Sequence, residues 1–112
     1  MLYNMNNLIE KTKRYFELFS TKNVKGLENE IYADDVYLRD WNGEWKGKQA
    51  VLEMNENLFQ NDFTIEIEEI ADAGNIAVVL FKLSIGDVTY NVCDYICWND
   101  SEKIQSIRAF NG

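Results

Sequence analysis

The chain has no histidine among its 112 residues. That absence removes imidazole as a general base, the Ser-His and Cys-His nucleophile pairs, and the zinc hydrolases. If the chain catalyses a reaction, carboxylates, tyrosines or lysines must move the protons. Cysteine is scarce too: Cys93 and Cys97 are the only two, in a segment that reads as strand. Extended geometry sets their Cα atoms roughly 13 Å apart, too far for an intramolecular disulfide. Two thiols without histidine make a poor metal site, so both read as buried structural thiols, and no metal or other cofactor is expected.

Positive charge is also sparse, with 11 Lys and Arg against 19 Asp and Glu and a formal net charge of −8. Such a surface repels phosphates, and no Lys/Arg cluster is dense enough to offset it, so no nucleic-acid partner is expected. The charge reads as a solubility device. No apolar stretch is long enough to span a bilayer, and residues 1–7 lack the apolar run of a signal peptide, so a cytoplasmic protein with no membrane partner is expected. What is present is 46% hydrophobic and 13% aromatic residues, enough to pack one core, and residues 1–112 read as a single domain.

Residues 7–20 place Leu8, Tyr15, Phe16 and Phe19 among charged residues, the spacing of an amphipathic helix. A second, short helix follows Asn23, which is placed to cap it, with Leu27 and Ile31 pointing inward. Residues 32–35 read as a turn, 36–40 as a strand, 41–47 as a loop and 48–59 as a third helix with Val51, Leu52, Leu58 and Phe59 on its apolar side. Strands follow at 63–71, 76–85, 88–98 and 103–110. A phase slip at Glu69-Ile70 signals a bulge, and Gly86-Asp87 signals a hairpin. Three helices followed by a four-strand antiparallel meander imply an α+β fold, a sheet covered on one face by helices.

Two aspartates break the strand pattern. In residues 88–98 one face reads Val88, Tyr90, Val92, Asp94, Ile96, Trp98, so Asp94 is the one charged group on an apolar ladder. An unpaired ionised carboxylate there costs several kcal/mol, so the group is either paired or held at a raised pKa. Asp40 ends its strand in phase with Val36 and Leu38. Asp40 has a plainer reading as the opener of the Asp40-Trp41-Asn42-Gly43 turn, Asp94 as a partner for a tyrosine or backbone amide, and Tyr15 as core. Together, two inward carboxyls and an inward phenol outline an apolar pocket with a polar floor. Residues 43–48 give Gly-x-x-x-Gly-Lys, one residue short of a phosphate loop and followed by Gln49, and are rejected as one. Lys82 lies mid-strand and reads as a sheet-edge or solvent lysine rather than a pocket amine.

These residues resemble the nuclear transport factor 2-like superfamily, within it the SnoaL-like and ketosteroid isomerase group. Arg14-Tyr15-Phe16-Glu17-Leu18 is similar to the isomerase first helix, residues 32–40 to the segment ending in its general base, and Asn91-Val92-Cys93-Asp94-Tyr95-Ile96 to the strand bearing an oxyanion donor. Ile107-Arg108-Ala109-Phe110 is similar to the last strand, so the likeness spans nearly the whole chain. The resemblance implies a cone-shaped curved antiparallel sheet on three helices. It implies Asp40 as base, Tyr15 and Asp94 as hydrogen-bond donors, and Trp41, Asn55, Phe59 and Asn111 as ligand contacts. Trp41 stands where the isomerase has proline, Asn55 replaces a network tyrosine, and Asn111 a pocket tryptophan. The activity so implied is a cofactor-free isomerase or lyase abstracting a proton next to a carbonyl of a small apolar molecule. The alternatives are a non-catalytic ligand-binding or dimerisation module, and a SnoaL-like cyclase or hydratase using Asp94. A homodimer through the convex sheet face is implied as well, and residues 76–85 carry apolar groups on both sides.

Overall fold

A computed structural model describes the backbone of residues 5–112 and side chains from residue 7 onward. Residues 1–4, part of the leading segment considered above for a signal peptide, lie outside the described residues. Helix α1 (Met5–Ser20) buries Leu8, Thr12, Tyr15, Phe16 and Leu18 on one stripe. Thr12 is accommodated because its hydroxyl donates to the Leu8 carbonyl at 2.8 Å. Asn23 caps α2 (Val24–Gly26), its side chain accepting from the Gly26 amide at 2.8 Å. The chain then widens into a π-helical turn, Leu27–Ile31, in which the Tyr32 amide reaches back to the Leu27 carbonyl. Leu27 and Ile31 both point inward there, as expected.

Strand β1 (Tyr32–Arg39) begins earlier than the sequence suggests. Asp34 and Asp35 imitate a turn, but they lie exposed within the strand, Asp34 3.1 Å from the Lys48 ammonium and Asp35 accepting from Gln105 at 2.8 Å. The strand's register shifts between Tyr32 and Tyr37, and this bulge absorbs the break in alternation. The stretch read as a loop also holds a short strand, β2 (Glu44–Lys46), antiparallel to the end of β1. Helix α3 (Lys48–Leu58) buries Val51, Leu52 and Asn55.

The meander follows as β3 (Phe63–Ala73), β4 (Ile76–Ile85), β5 (Val88–Trp98) and β6 (Ile104–Asn111). Gly74 and Gly86 open its two-residue hairpin loops at φ of +77° and +59°, a conformation that favours glycine. The bulge expected near Glu69-Ile70 is a register shift between Ile67 and Glu69. The sheet is six-stranded, in the order β2-β1-β6-β5-β4-β3. It is curved and unclosed, and its pairs are antiparallel except β1 with β6, which run parallel. Helix α1 covers the concave face through edge-on aromatic contacts, Phe16 to Phe81 at 5.0 Å and Phe19 to Phe63 at 5.8 Å between ring centroids.

A buried side-chain hydrogen bond crosses this core. The Tyr32 hydroxyl donates to Asn55 Oδ1 at 2.6 Å, and neither residue has more than 1% of its surface exposed. It ties the start of β1 to the inner face of α3. Tyr32→Phe leaves the Asn55 carbonyl buried without its donor, so unfolding stability should fall by about 1–3 kcal/mol. A lower urea midpoint at unchanged slope is the expected reading.

Candidate functional site

A cavity of about 90 Å³ opens between α1, α3 and the concave face of the sheet. Tyr15, Phe16 and Phe19 line it from α1, and Met54, Asn55 and Leu58 from α3. The sheet contributes Leu38, Ile65, Phe81, Leu83, Val92, Asp94, Ile107 and Ala109, and the turn after β1 adds Asp40 and Trp41. None of these lining residues is a lysine or arginine. The three residues expected to carry the chemistry thus share one cavity, along with Trp41 and Asn55.

Asp94 is inward because β5 alternates: Val92, Asp94, Ile96 and Trp98 are buried, while the residues between them are half-buried. Its cross-strand neighbours are Val79 on β4 and Ala109 on β6, so the carboxyl stands among apolar groups. Only 5% of the residue is exposed, and among the described residues no hydrogen bond reaches its carboxyl. Burial, and after it the Asp40 carboxylate, pushes its pKa up to about 8. At neutral pH Asp94 is therefore a neutral acid with a proton to donate.

Tyr15 lies 4% exposed on the inner stripe of α1, its ring edge-on to Tyr32 with centroids 6.2 Å apart. Burial, reinforced by Tyr32 and Asp94, raises its pKa well above the ordinary phenol range. Tyr32 is raised too, chiefly by burial. Both phenols stay protonated across the physiological range.

Asp40 sits where β1 ends and opens the turn, as its plainer reading expects. Its Oδ1 accepts from the amides of Asn42 at 2.7 Å and Gly43 at 3.2 Å, and its own amide donates to the Gly43 carbonyl at 3.0 Å. One carboxylate oxygen thus fixes the turn. Among the described residues no hydrogen bond reaches Oδ2. Trp41, next in the chain, lines the cavity while 41% exposed, and its ring packs on Tyr90 at 5.7 Å.

Two expected contacts lie elsewhere. Phe59 stands behind the cavity wall, packed on Phe19 at 5.0 Å and stacked on Phe63 at 5.9 Å. Asn111 pairs across from Val92, on the concave side, but is exposed and does not line the cavity. Lys82 faces solvent beside Glu68 at 3.9 Å. Cys93 and Cys97 are unpaired and half-buried on the opposite side of β5. Among the described residues no cluster of His, Cys, Asp and Glu is arranged to hold a metal, and no helix is long and apolar enough to cross a membrane. The sequence reading missed Tyr32, whose signal was its even spacing from Val36 and Leu38. It also missed Met54, which a helical wheel of α3 places one turn before Leu58.

Fold and site together are those of a small α+β cone with a polar-floored cavity. The SnoaL-like domain family matches residues 12–107, and the chain belongs to it. It is thereby a member of the nuclear transport factor 2-like superfamily. No curated protein matches the chain. Among solved structures, a candidate ketosteroid isomerase from Kribbella flavida superposes with a TM-score of 0.86 at 16% identity, over 96% of this chain and 78% of that one. An epoxide hydrolase/cyclase-like enzyme, SalBIII, with a role in pyran ring formation in the polyether salinomycin, gives 0.87 at 17% identity over 97% and 93%. An NTF2-like protein of unknown function from Mesorhizobium loti gives 0.86 at 14% identity over 100% and 96%. Identities this low speak to the fold alone.

The Asp94 carboxyl has a consequence for stability. Unfolded, it loses its proton near the ordinary value of 3.8; folded, it keeps it to about 8. Between those values the folded state binds more protons, so Asp94 lowers stability progressively as pH rises and its effect levels off above about 8. Asp94→Asn keeps the shape without the charge. It should raise stability at pH 7 by up to roughly 4 kcal/mol and flatten this part of the pH profile. Urea titrations from about pH 5 to pH 8 measure both effects.

Proposed function

We propose that the chain is a cofactor-free isomerase or lyase that removes a proton next to a carbonyl group. The observation that carries this reading is the buried Asp94 carboxyl, which no hydrogen bond reaches among the described residues and which lines the same cavity as Tyr15 and Asp40. A carbonyl oxygen entering the cavity meets two neutral donors, the Asp94 acid and the Tyr15 phenol. Asp40 Oδ2 takes the α-proton, and the charge that develops on the enolate oxygen is stabilised by hydrogen bonds that need no reorganisation. In an isomerase Asp40 returns the proton to another carbon, and in a lyase a β-substituent leaves instead. The pairing of a carboxylate base with a neutral carboxylic acid is that of ketosteroid isomerase.

Hydrogen–deuterium exchange at the α-carbon of a small ketone, followed by NMR in deuterated water, tests the reading without knowledge of the product. Asp40→Asn preserves an Oδ1 acceptor for the turn but removes the base, so exchange should fall by at least about 100-fold. With the parent chain, exchange should decline above about pH 8 as Asp94 ionises, and Asp94→Asn should abolish that decline.

A second reading, a cyclase or hydratase in which Asp94 alone is the acid, is favoured by the same free carboxyl and by the likeness to the cyclase-like SalBIII. It requires Asp40→Asn to leave turnover intact. A binding module predicts ligand retention with no exchange in any variant. Two unpaired thiols suit a reducing compartment such as the cytoplasm. A homodimer is supported by Leu80, Cys93 and Phe110, adjacent across β4, β5 and β6 on the outer face, where Leu80 and Phe110 are exposed. Sedimentation of the parent chain should report a dimer, and Leu80→Glu should shift it towards monomer.

A further inference from the structure

The cavity walls set limits on what the proposed site admits. Its volume of about 90 Å³ lies below the roughly 150 Å³ in which an engineered protein cavity holds benzene, and far below the roughly 300–1,000 Å³ typical of drug-sized ligands. A single ring fits only if the mouth yields somewhat, and a fused ring system does not fit without removal of part of the wall. The one wall residue that is both largely exposed and placed on a turn is Trp41. Its indole leans on Tyr90, an inward-facing residue of β5 two positions before Val92. The turn beneath it is held by the hydrogen bonds that the Asn42 and Gly43 amides donate to Asp40 Oδ1. Trp41 is therefore braced on one side by an aromatic ring and below by the carboxylate.

Charge narrows the ligand further. The lining contains two carboxyls and no lysine or arginine, in a chain of net charge −8. An anionic ligand would lose its hydration in an apolar cavity with no cation to replace it, and would face Asp40 as well.

We propose that Trp41, braced by Tyr90, is the size-determining residue of the site, and that the ligand class is a neutral carbonyl compound of at most one ring. The identification of a carbonyl rests on the proton-transfer reading above; the limits of size and charge rest on the cavity walls alone.

Phenol, 2-naphthol and benzoate serve as single-ring neutral, two-ring neutral and single-ring anionic probes. Their binding to the parent chain, Trp41→Ala and Tyr90→Ala is read by calorimetry or NMR shifts. The parent chain should bind phenol at least about tenfold more tightly than 2-naphthol and should show no binding of benzoate. Trp41→Ala should improve 2-naphthol binding by about tenfold while changing phenol by less than about threefold. Tyr90→Ala, which removes only the brace, should shift the same ratio in the same direction and keeps the test valid if Trp41→Ala does not fold. A phenol-to-naphthol ratio that is unity in the parent chain, or unmoved in both variants, overturns the size assignment and leaves proton transfer standing. Benzoate binding as tight as phenol overturns the charge limit. If neither neutral probe binds any form, the size assignment falls, and α-exchange in the earlier assay decides the proton-transfer reading separately. Phenol binding with no α-exchange in the earlier assay removes the reaction but keeps the size limit.

Discussion

A strongly curved sheet presents more concave surface than one helix can cover, and the rest of this structure follows from how that surface is filled. Helix α1 meets β3 and β4 with Phe16 and Phe19, whose edge contacts to Phe81, Phe59 and Phe63 close one side of the cone. Helix α3 covers the other side, joined to β1 by the Tyr32–Asn55 hydrogen bond. Between the two helices a gap remains, and the Asp94 carboxyl lies against it. A carboxyl on an apolar ladder is tolerable in two ways, by pairing or by staying protonated. Among the described residues no hydrogen bond reaches the Asp94 carboxyl, and it takes the second.

The parts of the fold that were legible in the sequence are those with a simple period. Strand β5 is buried on one side only, so strict alternation placed Asp94 inward correctly and gave the strand's ends as they stand. The β4–β5 hairpin was marked by Gly86, since few other residues take its backbone angle without strain. Legibility failed where local chemistry pointed one way and tertiary contacts the other. Asp34 and Asp35 look like turn residues, yet Lys48 and Gln105, both distant in sequence, hold them on the outside of a bulged strand. Three residues between two glycines gave no strand signal for β2, which exists because β1 offers it a pairing edge. The Tyr32–Asn55 bond spans 23 positions and leaves no periodic trace.

Asp40 shows why rival readings of one residue need not exclude each other. A carboxylate has two oxygens. One closes the four-residue turn, and among the described residues no hydrogen bond reaches the other, in a residue that lines the cavity. The turn in turn carries Trp41, so the placement of the Asp40 carboxylate and of the Trp41 indole at the cavity share one anchor. Solved structures at 16% and 17% identity share the fold, one a candidate isomerase and the other a cyclase-like enzyme, so the fold alone does not fix the chemistry.

The position of β6 bears on how the molecule is made. It is last in chain order yet lies between β1 and β5, and its Ala109 is the direct neighbour of Asp94. Until it docks, β1 and β2 have no larger sheet to join, and the Asp94 side chain is open to water on one flank. The β1–β6 pairing is long-range and slow compared with forming helices or hairpins such as β5–β6. A solvated aspartate at neutral pH is ionised, whereas the buried one is not. Enclosure of Asp94 between β4 and β6 is therefore linked to uptake of a proton from solvent at neutral pH, which makes burial of this side chain an acid–base event.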